Sequence, residues 1–267
     1  MGIVNINDDS FSGDGSLDQE VVMAQVRTQI EQGADCIDLG AESARTNREP
    51  ITEAEEIERL RPVLECWDEL VAQCRPRDAE QVYPPILSVN TWRPAVIQAV
   101  LEISPRIGLI NDMSALAYPE TLPLLADSSA ALLVMHSVGL PKQDHSHQRW
   151  EDIVASVESF FTEKIALAEQ AGIARERLVL DPGLDFAKTT ADSLALIKAA
   201  ERIEAFGCCV LWPLSRKNFI GDAIAEELPA QRDAGTVACL PFLGPSLLRV
   251  HNVDAAYLST KVLSKIV

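Results

Sequence analysis

The sequence lacks several features that would assign it to a specialised class of protein. Its apolar runs all stop short of the roughly 18 residues that a membrane-spanning helix needs. No charged stretch followed by an apolar core opens the chain, so we expect no secretion signal. The six cysteines include no C-x-x-C pair and have apolar or helical neighbours, which argues against a disulfide framework or a zinc site. We expect reduced, mostly buried thiols in a cytoplasmic protein.

Positive charge is also scarce. The chain of 267 residues has 23 basic and 40 acidic residues, which gives a formal net charge of -17. An excess of this sign argues against nonspecific binding to nucleic acid or to an anionic membrane. A local group of Arg and Lys can still bind a small anion. Aromatic residues make up only 5% of the chain, but the hydrophobic fraction of 47% is that of a globular protein with a large core.

Short apolar runs recur at regular intervals along the whole chain. They are continuous rather than alternating, which is typical of parallel strands that are buried on both faces. The eight predicted strands cover 3–6, 36–39, 86–89, 107–110, 131–135, 178–180, 209–211 and 247–250.

Longer segments with helical periodicity lie between these runs. Predicted helices include 17–31, 53–71, 94–102, 150–170 and 193–205. Ser16, Thr52 and Thr190 are the candidate N-caps, and Thr52 opens a T-x-x-E capping box. Eight strand–helix units without a linker predict one α/β domain over 1–267, a (β/α)8 TIM barrel, with an open doubly wound sheet as the alternative.

Polar side chains follow every predicted strand. Active sites of such barrels lie where the strands run into their loops, so these side chains are the candidate site residues. Amides and a carboxylate after strands three, four and six suit a flat heterocycle with several hydrogen-bonding edges. Cations from loops two, seven and eight suit a phosphate or pyrophosphate. The positions nearest the strand ends include Asn5, Arg45, Asn90, Asn111, Asp181, Lys217, Arg249 and His251.

These segments resemble the motifs of the dihydropteroate synthase family, in the same order and over nearly the whole chain. The opening GIVNINDDSFSGDG resembles the family's N-x-T-P-D-S-F-S-D-G-G, and GADCIDLGAESAR resembles G-A-D-x-I-D-I-G-G-E-S-T-R. The later matches are SVNT, INDMSAL, VMHSVGLP, LDPGLDFAKT, LSRKNFIG and RVHNV. The resemblance implies a (β/α)8 barrel, in agreement with the strand count.

The resemblance also implies a reaction. Members of the family join 6-hydroxymethyl-dihydropterin pyrophosphate to p-aminobenzoate in folate biosynthesis and release pyrophosphate. Their leaving group needs cations and usually Mg²⁺ around it. Members are commonly homodimers, so a homodimer is expected here.

Site residues are carried over position by position from the family's motifs. The implied catalytic residues are Lys217, Arg249, His251 and Arg45. The implied pterin contacts are Asn90, Asn111, Asp181 and Lys217. The implied pyrophosphate contacts are Asn5, Arg45, Arg249 and His251, with Asn5 also the Mg²⁺ ligand. The implied acceptor loops carry Phe11, Ser12, Ser43, Arg216 and Asn218.

Three further polar residues have structural interpretations. Asp38 lies inside an apolar strand, where a buried carboxylate needs partners, so we expect a hydrogen-bond hub. His136 is expected at the edge of the core rather than in catalysis, and Lys188 is expected to brace the sixth loop.

The chain departs from the family pattern mostly on the side that binds the amine. Ala44 and Thr46 replace Thr and Pro, and Asn218 replaces Ser. Other departures are Asn7–Asp8 for Thr-Pro, Asn90 for Asp, Asp185 and Ala187 for two glycines, and Trp212–Pro213 for a small Gly. We expect the Trp212 indole to narrow the pocket. The hypothesis is a divergent member with weak p-aminobenzoate activity or a different arylamine acceptor.

Two other functions stay open at this point. One is a pterin-dependent methyltransferase, whose barrels share the pterin-binding residues but lack the S-R-K and R-V-H motifs that this chain has. The other is a non-catalytic pterin-binding protein.

Overall fold

The computed structural model describes residues 1–8, 15–43, 48–143, 145 and 147–266. Its eight strands form one parallel sheet in chain order. They are β1 (Gly2–Asn5), β2 (Cys36–Gly40), β3 (Ile86–Asn90), β4 (Ile107–Asp112), β5 (Ala131–Met135), β6 (Leu178–Asp181), β7 (Cys209–Trp212) and β8 (Leu247–Leu248).

The first and last strands meet and close the sheet. A parallel bridge joins Gly2 to Val250, and the Ile3 amide donates to the Val250 carbonyl at 3.2 Å. The (β/α)8 barrel prediction is therefore confirmed, and the open doubly wound sheet was the wrong alternative. The predicted strand bounds agree within one or two residues.

Helices surround the barrel in the described part of the chain. They are α1 (Gln19–Glu31), α2 (Glu53–Glu65), α3 (Trp67–Ala72), α4 (Pro94–Ile103), α5 (Thr121–Ala126), α6 (Ile153–Gln170), α7 (Thr190–Lys198), α8 (Ala200–Glu204), α9 (Asn218–Ile224), α10 (Asp233–Ala238) and α11 (Val253–Ile266). Among the described residues, no helix has the length and apolarity needed to cross a bilayer.

Two predicted helices are broken. The segment predicted as 53–71 divides at Cys66, where the backbone has φ -97° and ψ 9°. The segment predicted as 193–205 divides at Ala199, where φ is -100° and ψ is 21°. Helical periodicity continues across both breaks because each pair of helices buries the same face, so the breaks leave no signal in the hydrophobic pattern.

The helix caps differ from prediction by one or two positions. Asp18 rather than Ser16 caps α1, since its side chain accepts from the backbone amides of Glu20 and Val21. The Ser16 hydroxyl accepts from the Asp18 amide instead. Thr189 rather than Thr190 caps α7, in a reciprocal capping box with Asp192. The Thr52 hydroxyl caps α2, as predicted.

Half of the predicted capping box at Thr52 is missing. The Glu55 carboxylate accepts from Arg59 at 2.6 Å rather than reaching back to Thr52. A salt bridge one turn along the helix has replaced the second half of the box.

Alternation along each strand separates two apolar layers. A small cluster fills the barrel interior and includes Leu109, Leu133, Met135 and Leu211. The larger cluster lies between the sheet and the helices and includes Trp212. The six cysteines are free, as expected, but only Cys36 and Cys74 are buried, so the expectation of mostly buried thiols was wrong.

Candidate active site

A cavity of about 770 Å³ opens where the strands end in their carboxyl-side loops. Most of the candidate site residues that the structure describes line this cavity. They are Asn5, Ser43, Asn90, Asn111, Asp181, Lys217, Asn218, Arg249 and His251. The candidates Phe11, Ser12 and Arg45 lie outside the described residues.

Asp38 organises the floor of the cavity from below. Its side chain is fully buried in β2, and its carboxylate accepts from the Ser88 hydroxyl at 2.6 Å. It also accepts from Asn111 Nδ2 at 3.0 Å and from Arg249 Nε at 2.8 Å. The predicted hub is confirmed. Its three donors come from β3, β4 and the end of β8, so one carboxylate orients side chains across the barrel.

Asp181 ends β6 and presents a carboxylate to the cavity. The side chain is 4% exposed, and one oxygen accepts from the Gly183 amide at 2.7 Å. Burial raises the pKa of Asp181 to about 6, although the Gly183 amide and three nearby cations partly oppose the shift. The second oxygen can pair with N–H donors of a ligand.

Lys217 lines the same cavity with its amine over the Phe186 ring, 4.4 Å from the ring centroid. Its Nζ donates to the Leu184 carbonyl at 3.2 Å. Burial lowers the pKa of Lys217, and the charges of Asp185 and Asp181 oppose that shift. The amine is therefore fixed between loop six (residues 182–189) and the cavity.

Arg249 and His251 lie together on the segment after β8. The Arg249 guanidinium is held through Nε by Asp38. The Ser215 hydroxyl accepts from the His251 amide at 3.1 Å and lies 2.8 Å from its Nδ1. Because Ser215 belongs to loop seven (residues 213–217), loops seven and eight are joined at this point.

The second loop is anchored by a buried ionic network. Glu42 follows β2, and its carboxylate lies 2.7 Å from Arg93 Nη2 and 3.7 Å from Lys142 Nζ. Arg93 also pairs with Glu56, which is 1% exposed. Lys142 Nζ donates to the Ser43 carbonyl at 3.0 Å. These pairs hold Ser43 at the rim, one residue before the part of the loop that lies outside the described residues.

Loops six and seven are joined by Asp185. Its carboxylate accepts from the backbone amides of Asn218 at 2.5 Å and Phe219 at 3.2 Å, at the start of α9. Its own backbone has φ +66°, and Ala187 has φ +52°. Both residues stand where the family pattern has glycine, the residue that adopts such angles most readily.

Lys188 and His136 have the structural roles expected of them. Lys188 Nζ donates to the His136 and Phe186 carbonyls at 3.2 and 3.0 Å, so it braces loop six. The His136 ring packs against Trp150 and Phe160, with centroids 5.1 and 5.0 Å away. Burial lowers the pKa of His136 to about 3.

Two expectations for the seventh strand and loop differ from the structure. Arg216 is not among the residues that line the cavity. Its guanidinium pairs with Asp233 at 2.7 and 3.0 Å, and its backbone has a φ of +61°. Trp212 is fully buried among the residues between sheet and helices. It therefore does not narrow the pocket, whose wall here is Pro213.

Arg232 is a positioning residue that the sequence analysis missed. It is 6% exposed and donates to the carbonyls of Arg216 and Lys217 at 3.0 and 3.3 Å. It also donates to the Asn218 amide oxygen at 3.1 Å. No pattern in the sequence marks this arginine, since its partners lie 14 to 16 residues away.

Among the described residues, no group of three His, Cys, Asp or Glu side chains is arranged to hold a metal ion. The cavity does contain the Asn5 side chain. An amide oxygen is a suitable ligand for Mg²⁺, which commonly takes one or two protein ligands and completes its shell with water and substrate phosphates. The donor set thus fits a metal that arrives with a phosphorylated ligand.

Comparison with known proteins gives one consistent result. Residues 1–251 match the family of pterin-binding enzymes. The chain is 32% identical over 257 residues to dihydropteroate synthase of Escherichia coli (strain K12), an alignment that covers 95% of this chain and 86% of that protein.

Solved structures agree. The dihydropteroate synthase of Xanthomonas albilineans in complex with 7,8-dihydropteroate has a TM-score of 0.83 and 37% identity, covering 100% of this chain and 92% of that one. The dihydropteroate synthase of Thermus thermophilus in complex with 6HMPPP has a TM-score of 0.80 and 32% identity, covering 100% and 93%. By sequence, by fold and by the arrangement of its strand ends, this chain belongs to the dihydropteroate synthase family of pterin-binding enzymes.

Proposed function

We propose that the chain condenses 6-hydroxymethyl-7,8-dihydropterin pyrophosphate with p-aminobenzoate or a related arylamine, releasing pyrophosphate in folate biosynthesis. One observation carries the proposal. The residues suited to a pterin and those suited to a pyrophosphate line the same cavity, with Asp38 bonded to a member of each set. The X. albilineans and T. thermophilus relatives, with 7,8-dihydropteroate and 6HMPPP bound, support it.

The pterin binds at the ends of β3, β4 and β6. The Asp181 carboxylate accepts hydrogen bonds from the amino-pyrimidine edge, which presents adjacent N–H donors. Asn90 and Asn111 offer amides to the other polar edges of the heterocycle. Lys217 lies against the ring and positions it.

The pyrophosphate binds at Asn5, Arg249 and His251. A guanidinium held through Nε by Asp38 still presents its two terminal nitrogens as donors, and these match phosphate oxygens. Arg45 is a proposed pyrophosphate contact by its match to the family's motif and lies outside the described residues. Asn5 would hold a Mg²⁺ that arrives with the substrate, and that ion would supply positive charge for the leaving group.

The reaction exchanges one bond for another at the pterin methylene carbon. The bond from carbon to the pyrophosphate oxygen breaks, and its electron pair leaves with pyrophosphate. The arylamine nitrogen forms the new bond to carbon and loses a proton. Arg249 and His251 stabilise the charge that develops on the leaving group, and Lys217 holds the pterin in line.

The first two loops complete the site over the acceptor. Phe11 and Ser12 are proposed acceptor contacts by their match to the family's motif and lie outside the described residues. Ser43 lines the cavity and helps to exclude water, which competes for the reactive carbon. Asn218 lies at the same rim from loop seven. The proposal for Arg216 is reduced to support of this loop, since its side chain pairs with Asp233.

A steady-state assay tests the proposal directly. The purified protein is mixed with Mg²⁺, the dihydropterin pyrophosphate and an arylamine, and pyrophosphate release and coupled product are measured. Asp181→Asn removes the pterin carboxylate, and Asp127→Asn is the matched surface control. Tight pterin binding by calorimetry without pyrophosphate release for any arylamine would favour the non-catalytic pterin-binding protein instead. Methyl transfer from a methylated pterin would favour the methyltransferase.

We also propose a homodimer. An exposed apolar row on α11, formed by Leu258, Val262 and Ile266, supports it, since residues four apart share a helix face. Sedimentation equilibrium with wild type and Val262→Glu tests it, and a monomeric wild type contradicts it. The six free cysteines support the further proposal of a cytoplasmic location.

A further inference from the structure

The wall of the cavity at loops six and seven carries a fixed carboxylate. Asp185 lines the cavity, and both of its oxygens accept backbone N–H groups, from Asn218 and Phe219. The two bonds fix both carboxylate oxygens, so the side chain is held in one place rather than free to turn away from a ligand.

The backbone is strained to hold this anion where it is. A φ of +66° is costly for most L-residues, though Asp and Asn tolerate it better than others. Glycine would adopt the same angle without cost and would leave both N–H groups open to the cavity. Since glycine would suit the backbone angle better, the role of Asp185 lies in its carboxylate rather than in the turn of the loop.

Cations beside Asp185 are already engaged. Lys217 is shared between Asp181 and Asp185, both of which oppose the lowering of its pKa. Arg216 is paired with Asp233. Arg232 reaches this end only through the Asn218 amide oxygen and backbone carbonyls. Lys188, whose charge also interacts with Asp185, donates to the His136 and Phe186 carbonyls. In the described part of the chain, a second anion bound here therefore meets the Asp185 carboxylate, while these four cations have other contacts.

The same wall suits an uncharged ring. Phe186 and Pro213 line the cavity together with Asp185 and Asn218 and offer apolar surface to an aromatic amine. Each carboxylate oxygen of Asp185 accepts one backbone N–H and retains a lone pair for a further donor. A hydroxyl or an amide N–H on the ring satisfies that acceptor.

From these contacts we infer that the acceptor is an arylamine whose ring substituent is uncharged and donates a hydrogen bond, rather than one that carries a carboxylate. The inference rests on the proposed function and names the acceptor class for the same site. Asp185 repels the carboxylate of p-aminobenzoate, because two like charges are only weakly screened by water in a partly desolvated cavity. Asp185 is thus a specificity-determining residue.

Comparison of matched acceptors tests the inference. The dihydropterin pyrophosphate and Mg²⁺ are held at saturation, and kcat/KM is measured by pyrophosphate release with 4-aminobenzoate, its uncharged isostere 4-aminobenzamide, and 4-aminobenzyl alcohol. We expect wild type to prefer both uncharged amines. Asp185→Asn keeps the shape and tolerates the backbone angle, and should raise the ratio of kcat/KM for aminobenzoate over aminobenzamide by at least about tenfold.

Because the ratio compares the same two amines in each enzyme, their different intrinsic reactivities cancel. Asp185→Gly gives a second variant with an unstrained backbone and should shift the ratio in the same direction. Asp152→Asn is the control, because Asp152 also caps a helix through a backbone amide but does not line the cavity. Its ratio should match that of wild type within about twofold.

The two ways to fail are distinct. Equal or better use of 4-aminobenzoate by wild type, with no change of the ratio in either Asp185 variant, overturns the inference and leaves the proposed function standing. No pyrophosphate release with any of the three amines, by a chain that binds the pterin pyrophosphate, overturns the proposed function and the inference with it.

Discussion

The floor and the rim of the cavity are built differently. Floor residues such as Asn111 and Asp181 belong to strands, and the hub Asp38 lies within β2 with partners on three other parts of the barrel. Rim residues such as Asp185 and Ala187 belong to loops and have positive φ angles. A strand residue cannot be reoriented without disturbing the neighbouring strands. A loop residue can be substituted with less effect on the rest of the barrel. The floor is therefore suited to the shared chemistry and the rim to the choice of acceptor.

The largest expected effect comes from the two cations that the proposed function assigns to the pterin and the pyrophosphate. Lys217→Ala and Arg249→Ala should each lower kcat/KM by about 2–4 kcal/mol, because each removes a cation that stabilises developing charge or holds the pterin. The loss should be the same for every acceptor, as measured by pyrophosphate release. Near-normal turnover in either variant removes that residue from the chemistry.

Asp38→Asn tests the hub that supports the floor. An amide offers one acceptor oxygen and presents an N–H group to donors, so we expect a loss of about 2–3 kcal/mol in the free energy of unfolding. Activity should fall as well, since Arg249 loses its partner. Urea denaturation measures the first effect.

Asp68→Asn is the matched control for the hub. Its partner Arg106 is 60% exposed, and such surface pairs contribute under about 1 kcal/mol. Equal losses of stability in the two variants would contradict the role assigned to Asp38.

Binding of the pterin should depend on pH through Asp181. Burial raises the pKa of this carboxyl group to about 6, so it is ionised above pH 6 and accepts N–H donors there. Affinity should be lost as pH falls through 6, by about tenfold at pH 5. Calorimetry with a pterin that lacks phosphates measures this, since the ligand then brings no phosphate ionisation.

Lys188 is a second group near Asp181 that titrates close to this pH range. Burial lowers its pKa to about 7, so as pH falls Lys188 gains its proton before Asp181 does. Asp181→Asn should bind more weakly at pH 7 and should lose the fall in affinity near pH 6. If Asp181→Asn keeps the pH dependence of wild type, the titrating group is a residue other than Asp181.

The smallest effect is expected for Trp212→Phe. The indole lies between the sheet and the helices, outside the cavity, so kcat/KM and the acceptor ratio should change by less than about twofold. A Thr121→Val variant, also buried outside the cavity, is the comparison. A shift of acceptor preference in Trp212→Phe would mean that packing between the sheet and the helices determines the shape of the rim.

Sequence reasoning was most accurate where a residue's role depends on its own strand. Asp38 was predicted as a hub because a carboxylate inside an apolar strand needs partners, and the strand bounds followed from apolar runs. The position of the Arg216 side chain depends on its ion pair with Asp233, 17 residues away. The bond from Asn218 to Asp185 spans 33 residues and requires a left-handed backbone. Such contacts depend on how loops turn, and hydrophobic periodicity carries no information on that.

The helix breaks follow the same reasoning. Cys66 and Ala199 interrupt helices whose apolar pattern continues on both sides. Periodicity reports which face is buried, and that face is the same before and after each break.

The shared carboxylate of Asp38 has a thermodynamic consequence. Asn111, proposed to contact the pterin, and Arg249, proposed to contact the pyrophosphate, both donate to it. If a ligand moves Asn111 or Arg249, the hydrogen bond between Asp38 and the other residue changes as well. Binding of the two halves of the substrate is therefore energetically coupled, and the coupling is reciprocal. The heterocycle and the phosphates are recognised as one molecule, and the affinities of the separate fragments cannot simply be added to give that of the whole.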